Sequence, residues 1–209
     1  MELYWGSGSP YAWRVMLALM VKHLDYEGHL LSFAEREHKQ PAYLALNPRG
    51  KVPTLVDGDV VVTESLAIMA YLDRVHPRPG LFGRTAPESG PIWAALLEIE
   101  HYVMPRMQAI TRALLSDRVD RAPSEYKEQV AALHRELDRL NSTAIEGPLN
   151  AVDCTLLPVL ALLERVSLKK GADTIALAPF DRERWAALEA RCTLLREHDG
   201  YEQTRPPHW

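Results

Sequence analysis

Along the first third of the chain, short β-branched or aromatic runs alternate with stretches whose apolar residues recur every three or four positions. Residues 3–5 read as a strand. They lead into Gly6-Ser7-Gly8-Ser9-Pro10, where Ser9 can cap a helix and Pro10 fits its first position because proline has no N–H to lose. Ala12, Val15, Met16, Leu19 and His23 follow at helical spacing. Residues 26–31 predict a second strand, parallel to the first if the helix is a crossover. Residues 41–46 read as a short helix ending at Asn47-Pro48. The runs 52–56 and 60–62 flank Asp57-Gly58-Asp59, a hairpin signal. Thr63-Glu64-Ser65 then opens a helix with Ile68, Tyr71, Leu72 and Val75 on one face, stopped by His76-Pro77-Arg78-Pro79-Gly80. The predicted order is βαβαββα, an α/β domain.

Beyond that point strand signals disappear. Residues 92–115, 124–145, 150–166 and 181–196 all read as helices, an all-α bundle. The pattern divides the chain into a domain over 1–77, a linker over 78–84 and a helical domain over 85–209. Asn150 followed three positions later by Asp153 has the form of a capping pair, and Val152, Leu156, Leu160 and Leu163 continue the apolar stripe. Pro158 lies inside that helix and is expected to kink it, since an interior proline removes a hydrogen bond.

Composition adds limits more than content. With 47% hydrophobic and 25% charged residues the 209-residue chain can bury a core, so disorder is not the expected state. The net charge of −4, with Lys and Arg scattered, gives no footprint for nucleic acid or an anionic membrane surface. No stretch approaches the roughly 20 apolar residues of a membrane span, and a cytoplasmic location is expected. Cys154 and Cys192 lack CxxC spacing and a partnering histidine cluster, which argues against a dithiol centre or structural metal. They read as small buried hydrophobes.

Three segments together carry a resemblance over nearly the whole chain: Ser9-Pro10-Tyr11-Ala12-Trp13-Arg14-Val15; Glu37-His38-Lys39 with Asn47-Pro48-Arg49-Gly50-Lys51-Val52-Pro53-Thr54-Leu55; and Thr63-Glu64-Ser65-Leu66-Ala67-Ile68. In this order they resemble the soluble glutathione S-transferases, and the first looks like the serine-type turn of the zeta, tau and phi classes. The resemblance implies a thioredoxin-like N-terminal domain, glutathione as co-substrate, a homodimer and a hydrophobic electrophile as second substrate. It implies that the Ser9 hydroxyl faces the glutathione sulfur, with Ser7 and Tyr4 as alternatives. The Val52-Pro53 bond, cis in this family, would turn the Val52 backbone toward the tripeptide's cysteine. Glu64 and Ser65 would meet the γ-glutamyl end at a helix N-terminus. His38, Lys39 and Lys51 would receive the glycine carboxylate.

Read locally, the same residues have plainer roles. Ser9 and Glu64-Ser65 are helix starts, and Lys39 and Lys51 are solvated loop lysines. Tyr11, His101, Met104 and Met107, with Trp5 and Trp209, are candidates for the second-substrate side, and Tyr102 and Arg106 for a dimer contact. The doubled serine and following cysteine of the maleylacetoacetate isomerase pattern are missing, although Arg14 matches it. Four functions remain open: conjugation, glutathione-assisted isomerisation, aryl-ether cleavage, and a non-catalytic binding module.

Overall fold

The computed structural model describes residues 1–116 and 119–207. Its first part contains β1 (Glu2–Trp5), α1 (Pro10–Val21), β2 (Glu27–Leu30), α2 (Pro41–Leu46), β3 (Thr54–Asp57), β4 (Val60–Thr63) and α3 (Ser65–Val75). The order is the one the sequence pattern predicts. The strands form one sheet in the order β2-β1-β3-β4. β1 runs parallel to β2, with Leu3 opposite Gly28, and antiparallel to β3, with Leu3 opposite Leu55. A right-handed crossover through α1 is the usual solution for such a parallel pair, and the β1–α1 turn leaves the C-terminal end of this inner strand.

α1 has no polar face, because Ala12 through Leu19 are all buried. A helix apolar all round must be covered all round. It packs on α3 within its own domain and on α7 (Ala151–Ser167) of the other, which makes it the joint between the two.

The remaining described helices are α4 (Ala86–Glu98), α5 (Met104–Leu115), α6 (Pro123–Ser142), α8 (Ala186–Arg196) and α9 (Tyr201–Thr204). Two departures from the sequence reading have local causes. The first long helix begins at Ala86 instead of 92, because Thr85 and Glu88 form a capping box ahead of Pro91. It is also not one regular helix. Residues Ile99–Val103 adopt a π-helical turn before α5, where Pro105 has no N–H for the α-helical ladder and its ring would crowd the carbonyl four residues back. In α7 the expected Asn150 cap is present, with Asn150 Oδ1 accepting from Val152 N at 2.9 Å and Asp153 accepting from Asn150 N at 2.8 Å. The chain stays helical on both sides of the buried Pro158.

The linker is stapled in place. Lys22 at the end of α1 donates to His76 O (2.6 Å) and Pro79 O (2.7 Å) and pairs with Asp73 (2.7 Å). Asp73 in turn accepts from the Leu81 and Phe82 amides. Cys154 and Cys192 are free and buried, and burial pushes the Cys192 thiol up to about 12, so both behave as apolar packing groups. Among the described residues no acidic or histidine cluster could hold a metal and no helix is long and apolar enough to cross a membrane.

Candidate functional site

The β1–α1 turn delivers Ser9 to the N-terminus of a helix buried on every side. Its backbone is extended (φ −92°, ψ 112°), and its Oγ accepts from Ala12 N at 3.2 Å. Ser9 is therefore the cap that local reading requires. A hydroxyl has two lone pairs and one hydrogen, so capping leaves the O–H free to donate at a point where the helix dipole favours negative charge.

Arg14, four residues into the same helix, reaches the start of α3. Ser65 is buried, and its Oγ accepts from the Arg14 guanidinium, with the Nε contact at 2.8 Å. Arg14 also pairs with Glu100 from the π-turn of the helical domain. This network was not assembled by the sequence reading, although a lone Arg among nine buried positions of α1 demands a partner. With its oxygen occupied by Arg14, Ser65 has a hydrogen to give outward, next to the unpaired amides of the first turn of α3. Glu64, just before, stands at φ 64° and ψ 114°, a conformation a non-glycine residue rarely adopts. Its side chain is exposed and lies 3.9 Å from Arg49 Nε.

The segment from His38 to Pro53 lies beside Glu64 through Arg49. Tyr43 OH bonds to Lys51 O (2.5 Å) and Thr54 Oγ1 (2.8 Å), and Asn47 Nδ2 donates to Lys51 O (2.7 Å). These bonds hold the turn that precedes β3. The Val52-Pro53 peptide is cis, and neither the N–H nor the C=O of Val52 has a hydrogen-bond partner among the described residues. Gly50, at φ 54°, lets the loops meet: a Cβ there would stand 2.7 Å from His38 O and 2.8 Å from Lys39 Nζ. Lys39 is engaged structurally, donating to Gly50 O at 2.6 Å and Arg49 O at 3.1 Å. The Lys51 side chain is exposed. His38 Nδ1 is buried without a partner, and burial, then the neighbouring Lys39 and Arg36 charges, lowers the imidazole's pKa. A neutral ring suits a hydrogen bond better than an ion pair.

On the second-substrate side the structure separates the candidates. Met104 and Met107 are 3% and 0% exposed and belong to the core. Their helical spacing marked the inward face of α5, as apolar stripes usually do. His101 is exposed on the π-turn, and Trp5 is half-buried beside Gly28. Trp209 lies outside the described residues. Tyr11 reaches across to α5, where Gln108 donates to its hydroxyl at 2.8 Å, a partner the sequence pattern did not single out. Tyr4 is turned away: its hydroxyl donates to Glu2 at 3.1 Å, and burial, then that carboxylate, raises its pKa. Beside Ser7 a depression of about 480 Å³ is lined by Leu30, Leu31, Ser32, Phe33, Ala34 and Glu37, with Phe33 lying so close over Gly6 that a side chain there would collide.

Comparison with known proteins points to one family. Residues 8–75 match the family model described as the N-terminal domain of glutathione S-transferases. A glutathione S-transferase A from Pleuronectes platessa is 28% identical over 100% of this chain and 92% of its own length. A maleylacetoacetate isomerase from Pseudomonas aeruginosa is 42% identical over 97 residues, 43% of this chain and 46% of the relative. Among solved structures, a glutathione S-transferase from the Antarctic clam Laternula elliptica superposes with a TM-score of 0.80 at 29% identity, covering 100% of this chain and 93% of that one. The thioredoxin-like sheet with its helical partner domain, the serine-capped first helix and the full-length likeness to these proteins agree, and the chain belongs to the glutathione S-transferase superfamily.

Proposed function

We propose that this protein is a glutathione transferase that binds the tripeptide between the β1–α1 turn and the start of α3 and activates its thiol at Ser9 for attack on a hydrophobic electrophile. The observation that carries the reading is the Ser9 cap, whose oxygen is occupied by Ala12 N while its hydrogen remains available at the positive end of a buried helix. A free thiol with a pKa near roughly 8.5 is only about 3% ionised at pH 7. Lowering that pKa by about 2 units corresponds to roughly 2.7 kcal/mol, within reach of one hydrogen bond to an anion plus a helix dipole. Ser9 then acts as a donor, and no general base is needed.

The rest of the tripeptide follows the walls of the groove. Ser65 and the first amides of α3 take the γ-glutamyl carboxylate, Glu64 takes its amine, and the backbone of Val52 ahead of cis-Pro53 pairs with the cysteine residue. Lys51 is the cation with freedom to reach the glycine carboxylate. Lys39 supports that loop through its carbonyl bonds, and His38 offers Nδ1. Tyr11 and His101 stand on the electrophile's side, with Met104 and Met107 in the core of α5.

Isomerisation through the same thiolate is the second reading, favoured by the likeness to the Pseudomonas aeruginosa isomerase. The reading extends to a cytoplasmic homodimer, as the family resemblance implies. Exposed Val75 on α3, Leu97 on α4 and Tyr102 beside it supply apolar surface for the pairing. Arg106 instead turns toward Glu136 of its own chain, 4.0 Å away. Isothermal titration with reduced glutathione and then its S-hexyl derivative tests the reading. Binding that tightens with the alkyl group supports a tripeptide site beside an apolar pocket; absence of heat at millimolar concentration would leave a binding module of another kind.

A further inference from the structure

A cleft of about 600 Å³ is walled by the linker, the first turns of α4 and the segment that enters α7. It shares no lining residue with the groove at Ser9, Val52 and Ser65, nor with the surface of α3 and α4 offered for pairing. Its size suits a small organic ligand. Four of the walls are prolines, Pro79, Pro87, Pro91 and Pro148, whose rings fix the backbone. Ile92, Ile145 and Leu149 complete an apolar lining. Such a cleft is preformed and needs little ordering to receive an apolar body.

The polar groups that this lining leaves available are donors. Asn150 is only 4% exposed. Its side-chain oxygen is the atom that faces Val152 N, because a backbone N–H can only donate. Its Nδ2 therefore carries two hydrogens, and it has no hydrogen-bond partner among the described residues although Asn150 lines the cleft. Almost all polar groups this deeply buried are satisfied, and an acceptor in the cleft would satisfy this one. Arg78 and Arg84 stand exposed at the same cleft, and neither guanidinium hydrogen-bonds a side chain among the described residues. Of the two carboxylates there, Glu88 is taken up by the Arg84 and Thr85 amides, and Glu146 is exposed to water.

We propose that this cleft binds a small organic carboxylate at a site separate from the glutathione groove. The apolar body of the ligand lies on the prolines, Ile92 and Leu149. Its carboxylate accepts from Asn150 Nδ2 and, with charge assistance, from Arg78 or Arg84. Bound there, the ligand ties the linker to the starts of α4 and α7, so it stabilises the fold as it saturates the site. The site stands on the cleft alone and does not depend on the transferase reading.

Isothermal titration of the full chain with 4-phenylbutyrate, and with 4-phenyl-1-butanol as its uncharged counterpart, tests the site. The acid should bind one to one with a Kd of about a millimolar or tighter, the range expected of about a dozen heavy atoms. The alcohol should bind roughly 10-fold more weakly. Asn150→Asp keeps an oxygen for Val152 N, and aspartate caps a helix as well as asparagine does, but it replaces the donor with a second carboxylate oxygen. Melting should stay near that of the wild type while affinity for the acid falls by roughly 10-fold or more. Replacing Arg78 and Arg84 together by Gln leaves the cap untouched; it should weaken the acid roughly 10-fold and leave the alcohol unchanged, and this pair decides if Asn150→Asp melts early. Saturating S-hexylglutathione should not alter the Kd of the acid. No heat with the acid, equal affinities for acid and alcohol, undiminished binding in either folded variant, or displacement by S-hexylglutathione would overturn the proposal; displacement would assign the carboxylate to the glutathione groove instead.

Discussion

Ser9 carries two duties on one oxygen, and variants can separate them. Ser9→Ala removes both: a lost N-cap costs about 1 kcal/mol, and the missing donor should lower turnover by roughly one to three orders of magnitude. Ser9→Asp keeps a capping acceptor but sets a carboxylate against the sulfur. We predict near-wild-type melting with activity lost as fully as in Ser9→Ala; an active Ser9→Asp enzyme would remove the hydroxyl from the chemistry. Glu64→Ala should weaken glutathione binding by roughly 1 to 3 kcal/mol, as for a lost charged hydrogen bond, and unchanged affinity in calorimetry would take Glu64 out of the site. At this scale the motif residues were legible because each sits at a helix start or tight turn, where residue type and backbone geometry go together. Arg14 was legible only as a motif letter. Its bonds to Ser65 and Glu100 join residues 51 and 86 positions apart, which no local pattern reports.

At the scale of elements, packing supplies most of each helix's stability, and a helix cap adds about 1 kcal/mol. The Asn150 cap is tied into a second interaction, since Asp153 both accepts from Asn150 N and pairs with buried Arg191 at 2.8 and 2.6 Å. Arg191 also donates to the Gly147 and Pro148 carbonyls. Asn150→Ala should therefore cost about 1 kcal/mol, as an ordinary cap. Asp153→Ala should cost about 3 to 5 kcal/mol, because it leaves an uncompensated buried cation. Equal losses in chemical denaturation would show that Arg191 finds other partners. The capping pair was readable from spacing, but the arginine that completes it was not. The π-turn at Ile99–Val103 was missed for a related reason: Pro105 announces a disturbance, and only packing decides whether the helix breaks, bends or widens. That widening carries Glu100, the residue that reaches Arg14.

At the scale of the whole molecule, the two parts share one core. α1 is covered by the sheet domain on one side and by α7 on the other, and Lys22 fastens the linker to α1 through Asp73 and two carbonyls. A polypeptide of residues 1–80 alone would expose much of the apolar surface of α1. The intact chain is accordingly expected to unfold in one calorimetric transition with matching van't Hoff and calorimetric enthalpies, whereas two resolved transitions would mean that the interface contributes little. The hydrophobic pattern separated an α/β part from an all-helical part. It could not reveal that α1 belongs to both, because a helix apolar on every face looks the same whatever covers it.

The central claim is that Ser9 makes glutathione a thiolate at neutral pH, and the direct measurement is the pH titration of thiolate absorbance for glutathione bound to the wild-type protein and to Ser9→Ala. The account predicts a bound thiol about 2 units below the free value in the wild type, returning close to it in the variant. A wild-type thiol that titrates like free glutathione, or an equally depressed one in Ser9→Ala, would contradict it.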